Sequence, residues 1–360
     1  MAIHYSTQAK LINDRLLRSW IRCRRKAWLD KYGKQNKRLW SSHRTLQLDH
    51  QHRSLLALMK ESETTGTGIK ACEEGASLVM GLKIKGKTPS GKLIEASPPL
   101  IKKVNGESKW GKFSYIPVIT RQGHKITREN KLSLAFTGLL VEQLQGSPVN
   151  KGLAISQTMQ RLEKEKVHIS QSLNNLVLQN LKKIDRDIKL AEAPPLTFKR
   201  QKCSICTWKN LCDSEATSQG HLSEISGVGA KRIELLKNLG INNLSELATS
   251  NPLKLEKNLG DFHGEIAHQI IDQALVQLKK KEKRLDPNPS LPEMQFAKGA
   301  LLYDIESDPD AKHDFLHGII IIKRNKDGKW EPKRSKYVPI LTLLSNNEQE
   351  KFTWERIKRK

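Results

Sequence analysis

The sequence has little that would place it outside the cell or in a membrane. Its 360 residues include only five cysteines, an odd number with no secretory leader before it, which argues against a disulfide framework. The opening MAIHYSTQAKLINDRLLRSW has no apolar stretch of the kind a signal peptide needs, and no window approaches about 18 uninterrupted apolar residues. A soluble, cytoplasmic protein with no membrane partner is expected. Negative charge is also scarce: 38 Asp and Glu face 63 Lys and Arg, a formal charge of +25. Such a field attracts polyanions, so nucleic acid, DNA in the first instance, is the expected partner. Charge names a partner and no chemistry, and a merely basic cytosolic or ribosome-associated protein has the same balance.

At 37% hydrophobic and 28% charged, the chain can bury a core, and its length predicts two or three globular units. From Leu11 to Tyr32, LINDRLLRSWIRCRRKAWLDKY spaces Leu16, Leu17, Trp20, Cys23, Trp28 and Leu29 as one amphipathic basic helix. A second helix is expected over Arg44–Lys60, with His43, His50 and His52 near its start. Residues 77–120 read as strands (SLVMGLKI, KLIEA, PLIKKV, FSYIPVIT) separated by turn formers. Lys131–Gln145 predicts a helix, and Ala154–Ala191 a strand followed by a long charged helix. This order suits an α/β core. Beyond a linker at 279–297, with its KKKEKR charge run, three consecutive strands and the start of a helix are expected.

Cys203-x2-Cys206-x5-Cys212 brings three soft thiolates within reach of one centre, and a tetrahedral metal or a cubane cluster needs a fourth ligand. Cys23 is the candidate, which requires the early helix and the late segment to meet in space. Cys72 is left over. Spacing favours a bound metal over free thiols and leaves zinc and iron–sulfur both open.

The helix motif C-x-R-x-x-W-L at Cys23, taken with the late C-x2-C-x5-C containing Trp208, resembles the iron–sulfur RecB-type nucleases of the PD-(D/E)XK fold, over roughly residues 10–215. The resemblance implies a 4Fe-4S cluster on Cys23, Cys203, Cys206 and Cys212 that clamps the two ends of a restriction-endonuclease-type core, with zinc as the alternative. It also implies magnesium or manganese held by an early histidine, an Asp and a D/E-x-K strand. His50 matches the histidine. Pro99 falls where the Asp belongs, and Ile119 and Arg121 replace the carboxylate and lysine. Glu107-x-Lys109 lies in a turn-like VNGESKWG, and Glu95 is a leftover carboxylate. The expected nuclease centre is therefore degenerate.

Leu222–Ala248 reads as helix, a tight G-V-G turn, helix, Gly-Ile and a third helix. It resembles a helix-hairpin-helix element, in which Gly227 and Gly229 allow close backbone approach while Lys231 and Arg232 add charge. In ALLYDIESDP, Asp304 and Glu306 share one face of a strand and are candidate metal ligands. This segment resembles the opening of an RNase H-like, DEDD-type exonuclease domain, and the chain ends before further strands or aspartates appear. The expected organisation is a RecB-like domain (1–215), a helix-hairpin-helix unit (216–278), a linker (279–297) and an incomplete RNase H-like domain (298–360). Two functions follow: a nuclease hydrolysing phosphodiester bonds, or a non-catalytic nucleic-acid-binding scaffold that holds an iron–sulfur or zinc site.

Overall fold

The computed structural model describes residues 11–40, 42–123, 125–158, 161–284, 291–308, 313–332, 335–341, 351 and 355. It divides the chain into two units, residues 1–281 and 282–360. In the first unit the order is β1 (Ile12–Asn13), α1 (Asp14–Arg22), α2 (Arg24–Tyr32), α3 (Ser42–Lys60), β2 (Thr65–Thr67), α4 (Gly68–Glu73), β3 (Leu78–Met80), β4 (Ile84–Lys87), β5 (Leu93–Ala96), β6 (Leu100–Ser108), β7 (Gly111–Thr120), α5 (Arg128–Gln145), β8 (Lys151–Gln157), β9 (Leu162–His168), α6 (Gln171–Asp187), α7 (Lys209–Ser218), α8 (Ala230–Asn238), α9 (Leu244–Ala248), α10 (Pro252–Leu259), α11 (Asp261–Gly264) and α12 (Ala267–Lys279). The class is α/β. No helix among the described residues is long and apolar enough to cross a membrane.

A six-stranded mixed sheet runs β2-β3-β6-β7-β8-β9, and a three-stranded one runs β1-β5-β4. Side chains on a strand alternate between faces, and the larger sheet uses both for cores. On one face Leu100, Ile116, Val118, Leu153 and Ile155 pack under Leu58 of α3. On the other, Ile101, Tyr115 and Ala154 pack under Leu134 and Phe136 of α5. The α5 helix begins in a capping box between Thr127 and Asn130, which satisfies first-turn amides that have no partner within the helix.

Three sequence expectations need correction. The helix expected over 11–32 is two helices, because Cys23 between them has an extended backbone (φ −161°, ψ 125°). Helical periodicity continues across the break and so hides it. The strands expected at KLIEA and PLIKKV are β5 and β6, which lie in different sheets; proline lacks a ladder donor and separates them at Pro98-Pro99. The charged stretch after β8 was expected to be helical, yet LEKEKVH forms β9, antiparallel to β8. Its strict alternation places Glu163, Glu165 and Val167 on one face, a period of two that an all-charged run conceals. The helix expected before the G-V-G turn is a single 3-10 turn, Leu222–Glu224.

The α8–α12 region has its own core, including Leu222, Ile233, Leu236, Leu247 and Ile270. Phe198, three residues after the AEAPP stretch, packs against that core and stacks on His221 at 5.6 Å. In the second unit, β10 (Gly299–Asp308), β11 (His313–Lys323) and β12 (Tyr337–Leu341) form an antiparallel sheet in that order. Residues 285–290 of the expected linker lie outside the described residues, as does most of the expected C-terminal helix.

Asp187, at the end of α6, closes the first domain onto its beginning. Its side chain is 2% exposed and accepts from Trp20 Nε1 at 2.8 Å and from Arg24 Nε and Nη2 at 2.6 and 2.8 Å. Burial acts to raise its pKa, and the bonds from Arg24 and Trp20 outweigh that and hold it below the usual carboxylate value. Its contribution to stability is therefore complete above the unfolded-state pKa of about 4 and is lost as pH falls through the depressed folded value. Asp187→Asn should lower unfolding free energy by about 2–3 kcal/mol at neutral pH. It should also flatten the acid limb of the stability curve, as read from denaturant midpoints at constant slope. An unchanged midpoint would remove Asp187 from this role.

Candidate metal centre

The break at Cys23 delivers its thiol. The Cys23 N–H ends α1 on the Ser19 carbonyl at 2.9 Å, and its carbonyl accepts from Ala27 N–H at 3.1 Å to start α2. Between these bonds the residue is extended, so its side chain leaves the line of the helix. Cys203 ends a 3-10 turn over Arg200–Cys203, Cys206 N–H bonds back to the Cys203 carbonyl at 3.0 Å, and Cys212 lies on the first turn of α7.

The four thiols share one locality. Burial pushes Cys203 up to about 11, against the opposing charge of Arg200, and Cys206, Cys23 and Cys212 raise it further. Burial also raises Cys206, with the backbone at Trp208 and the charge of Lys26 opposing it and Cys23 and Asp30 adding to the rise. Cys212 is raised by burial, opposed by Arg25 through its charge and a hydrogen bond, and raised again by Cys206 and Cys23. Cys203, Cys206 and Cys212, each pushed up by burial and by the neighbouring Cys23, lie among Arg25, Lys26 and Arg200 and with Cys23 form a donor set whose chemistry fits a soft cation or a thiolate-ligated cluster. Among the described residues, no group of three or more His, Cys, Asp or Glu side chains stands as a ready metal site. All five cysteines are free thiols. Cys72 lies apart on α4, fully buried, with Sγ 3.8 Å from the Gly68 carbonyl.

A supporting network was invisible in the sequence because it joins residues far apart in the chain. Trp208 is fully buried, and its Nε1 donates to Asp30 Oδ1 at 2.7 Å across a separation of 178 residues. Asp30 Oδ2 accepts from Ser19 Oγ at 2.6 Å and from Lys26. Arg25, itself buried, donates to the Pro194 carbonyl at 2.7 Å and to Glu215. Gly33 ends α2 against the indole. A Cβ there would lie 2.6 Å from Trp208 Cη2 and 2.5 Å from the Leu29 carbonyl.

The expected nuclease positions lie elsewhere in the domain. His50, on α3, has Nε2 3.3 Å from Ser156 Oγ, and its buried Nδ1 has no partner. Burial first, then the charges of Arg53 and Arg121, keep its imidazole below its ordinary pKa. Arg121 is 5% exposed and pairs with Glu163 at 2.6 Å and Glu165 at 3.4 Å, both on β9. Ile119 packs into the core, and Pro99 is exposed in the loop before β6. Glu95 is buried on β5, 3.5 Å from Lys83. Glu107 is exposed at the β6 end, and Lys109 lies in the β6–β7 turn. Among the described residues no carboxylate bonds to His50, and the charge of the buried Arg121 acts on it.

In the hairpin unit, Gly227 has φ +80°, a left-handed turn that favours glycine. A Cβ at Gly229, the N-cap of α8, would meet nothing within 4 Å. Lys231 reaches Glu234 at 3.3 Å, and Arg232 bonds to the Gly227 carbonyl at 2.7 Å. In the second unit, Asp304 and Glu306 are both exposed on β10, opposite Gly318 and Leu316 of β11.

No family model and no curated protein matches the chain. A solved structure described as "Crystal structure of SSO0001" is similar over 57% of this chain and 86% of its own, with 14% identity and a TM-score of 0.35. At that score the likeness carries no argument.

Gly33→Ala should cost about 1–3 kcal/mol through overpacking against Trp208 and should speed the reaction of Cys203 and Cys206 with a thiol reagent in the metal-free protein. Unchanged stability and thiol reactivity would show that the Trp208–α2 contact does not hold the late segment.

Proposed function

We propose that the chain is a nucleic-acid-binding protein of the RecB-type, nuclease-like class, in which a metal centre staples the fold and the N-terminal hydrolytic site is lost. The observation that carries this reading is Arg121. Hydrolysis of a phosphodiester in such a site needs carboxylates around a divalent cation, and here a buried arginine bridges Glu163 and Glu165 beside His50. The guanidinium occupies both carboxylates, which leaves them engaged and not free to hold magnesium, and Pro99 and Ile119 offer no side-chain oxygen.

Cys23, Cys203, Cys206 and Cys212 would hold the metal, a 4Fe-4S cluster by the resemblance or zinc as the alternative. The group's chemistry there is structural: it fixes the break between α1 and α2 to the start of α7. The protein's own residues keep the four sulfurs near one another. Trp208 and Asp30 position the loop before Cys212, while Arg25, Lys26 and Arg200 offset the negative charge of bound thiolates. The excess of basic residues and the α8 N-terminus in the hairpin unit supply contacts to phosphate. Asp304 and Glu306, on one strand face, favour a second reading in which a two-metal exonuclease centre is completed by residues beyond this pair.

Two measurements test the reading. Anaerobically purified protein should carry iron and sulfide, or zinc. Serine at any of the four cysteines should remove that metal and lower the unfolding temperature, whereas Cys72→Ser should retain it. With magnesium or manganese the protein should bind single- and double-stranded DNA in a salt-sensitive way and leave both uncut. Cleavage abolished by Asp304→Ala would select the exonuclease reading instead, and cleavage abolished by His50→Ala would overturn the claim of a lost N-terminal site.

A further inference from the structure

The α1 helix has two faces. Leu16, Leu17 and Ser19 are buried, and Arg15, Arg18 and Arg22 are exposed. The three arginines lie at i, i+3 and i+7, so they form one stripe along the axis, with about 5.4 Å per turn. Two further guanidinium groups come from other elements: Arg38, in the loop after α2, and Arg44, on the first turns of α3. They converge on the stripe. Burial lowers the pKa of Arg44, and the charges of Arg22, Arg18, Arg15 and Arg38 lower it further. The carboxylates paired with the stripe are Asp14, 2.9 Å from Arg18, and Glu129, 2.7 Å from Arg22. Among the described residues these are the ion pairs of the stripe, and both arginines in them remain nearly half exposed. Exposed pairs of this kind are worth roughly 0–1 kcal/mol, so a phosphate can compete for them.

The same loop carries an aromatic side chain in an unusual place. Trp40 is 68% exposed, and its Nε1 donates to Thr45 Oγ1 at 3.0 Å. It follows Lys34, Lys37 and Arg38, all exposed. The loop is anchored by Leu39 N–H, which donates to the Thr207 carbonyl at 2.8 Å between Cys206 and Trp208. An exposed indole beside a row of guanidinium groups is the combination that binds an unpaired strand, since stacking needs a base face that a duplex keeps covered.

We infer that α1, the 34–40 loop and the start of α3 form a binding surface for single-stranded nucleic acid, in which Arg15, Arg18, Arg22, Arg38 and Arg44 track the phosphates and Trp40 stacks on a base. The inference rests on the nucleic-acid-binding reading above and adds a location and a strand preference. It is separate from the hairpin unit, which offers only backbone contacts at α8.

The test is fluorescence anisotropy with a labelled oligodeoxythymidylate and a duplex of matched length, using the full chain with its metal. Arg15→Gln/Arg18→Gln/Arg22→Gln should weaken oligodeoxythymidylate binding at least about tenfold and reduce the slope of log K against log salt by about 2, at about 0.7 per phosphate contact. Trp40→Ala should weaken single-strand binding by roughly tenfold without changing that slope, and leave the duplex affinity as it was. Arg15→Gln/Arg38→Gln touches neither ion pair and must shift binding in the same direction as the triple variant, which separates lost contacts from lost folding. If these variants bind like the parent while Lys231→Ala/Arg232→Ala abolishes binding, the surface is wrong and the functional reading stands. If the parent binds neither oligonucleotide, both are wrong.

Discussion

The first unit depends on one closure: the early helix pair must hold a segment nearly the whole domain away in sequence. Bringing such distant residues together costs loop entropy that grows only slowly with length, so the cost is met once, at the contact itself. The contact is polar and buried. Asp187 gathers Trp20 and Arg24, Asp30 gathers Ser19, Lys26 and Trp208, and Arg25 reaches Pro194 and Glu215. The buried members, Asp187, Ser19, Arg25 and Trp208, would be expensive to bury without polar partners. The set is acceptable only when both ends are present, which makes the closure cooperative. The four cysteines lie within this closure, so a metal bound there would strengthen a contact that the protein side chains already make.

Much of the architecture is legible in the sequence because it follows short-range rules. The α5 helix shows in the periodicity of KLSLAFTGLLVEQLQ, and β7 shows in FSYIPVIT between turn formers. That Cys23 should meet the late cysteines is an expectation from the ligand count that soft metals require. What stays hidden is long-range. Trp208 looks like any tryptophan in a basic segment, and Asp30 like any helix carboxylate, until the fold places them 2.7 Å apart. The break at Cys23 is hidden for a related reason. Its neighbours suit a helix, and tertiary demand overrides local propensity at that one residue. β9 escapes because its alternation is written in Glu and Lys, with a single buried apolar residue, Val167, as the marker.

The missed strand also explains how Arg121 is accommodated. Arg121 is buried at 5% exposure, and an unpaired guanidinium there would be very costly. Glu163 and Glu165 reach it because β9 is a strand, whose period of two places both carboxylates on the face that Arg121 approaches. The buried arginine and the acidic alternation of β9 therefore belong together: each is destabilising without the other.

The distribution of charge points the same way. A net charge of +25 opposes folding by self-repulsion, and some basic residues of the first unit offset it by pairing with a carboxylate, as Lys92 does with Asp185 and Arg200 with Asp213. Around α1 like charges gather instead: Arg15, Arg18, Arg22 and Arg38 all act on Arg44. A protein that gained nothing from this repulsion could relieve it with one acidic residue in the exposed 34–40 loop, where no core contact restricts the choice. The loop instead reads Lys-Gln-Asn-Lys-Arg-Leu-Trp. It is tied through Leu39 to the segment between Cys206 and Trp208, so the closure at the late cysteines also fixes an exposed basic edge of the domain. Retaining like charges on an ordered loop costs stability in the free protein, and a polyanion bound along that edge is the state in which the cost is recovered.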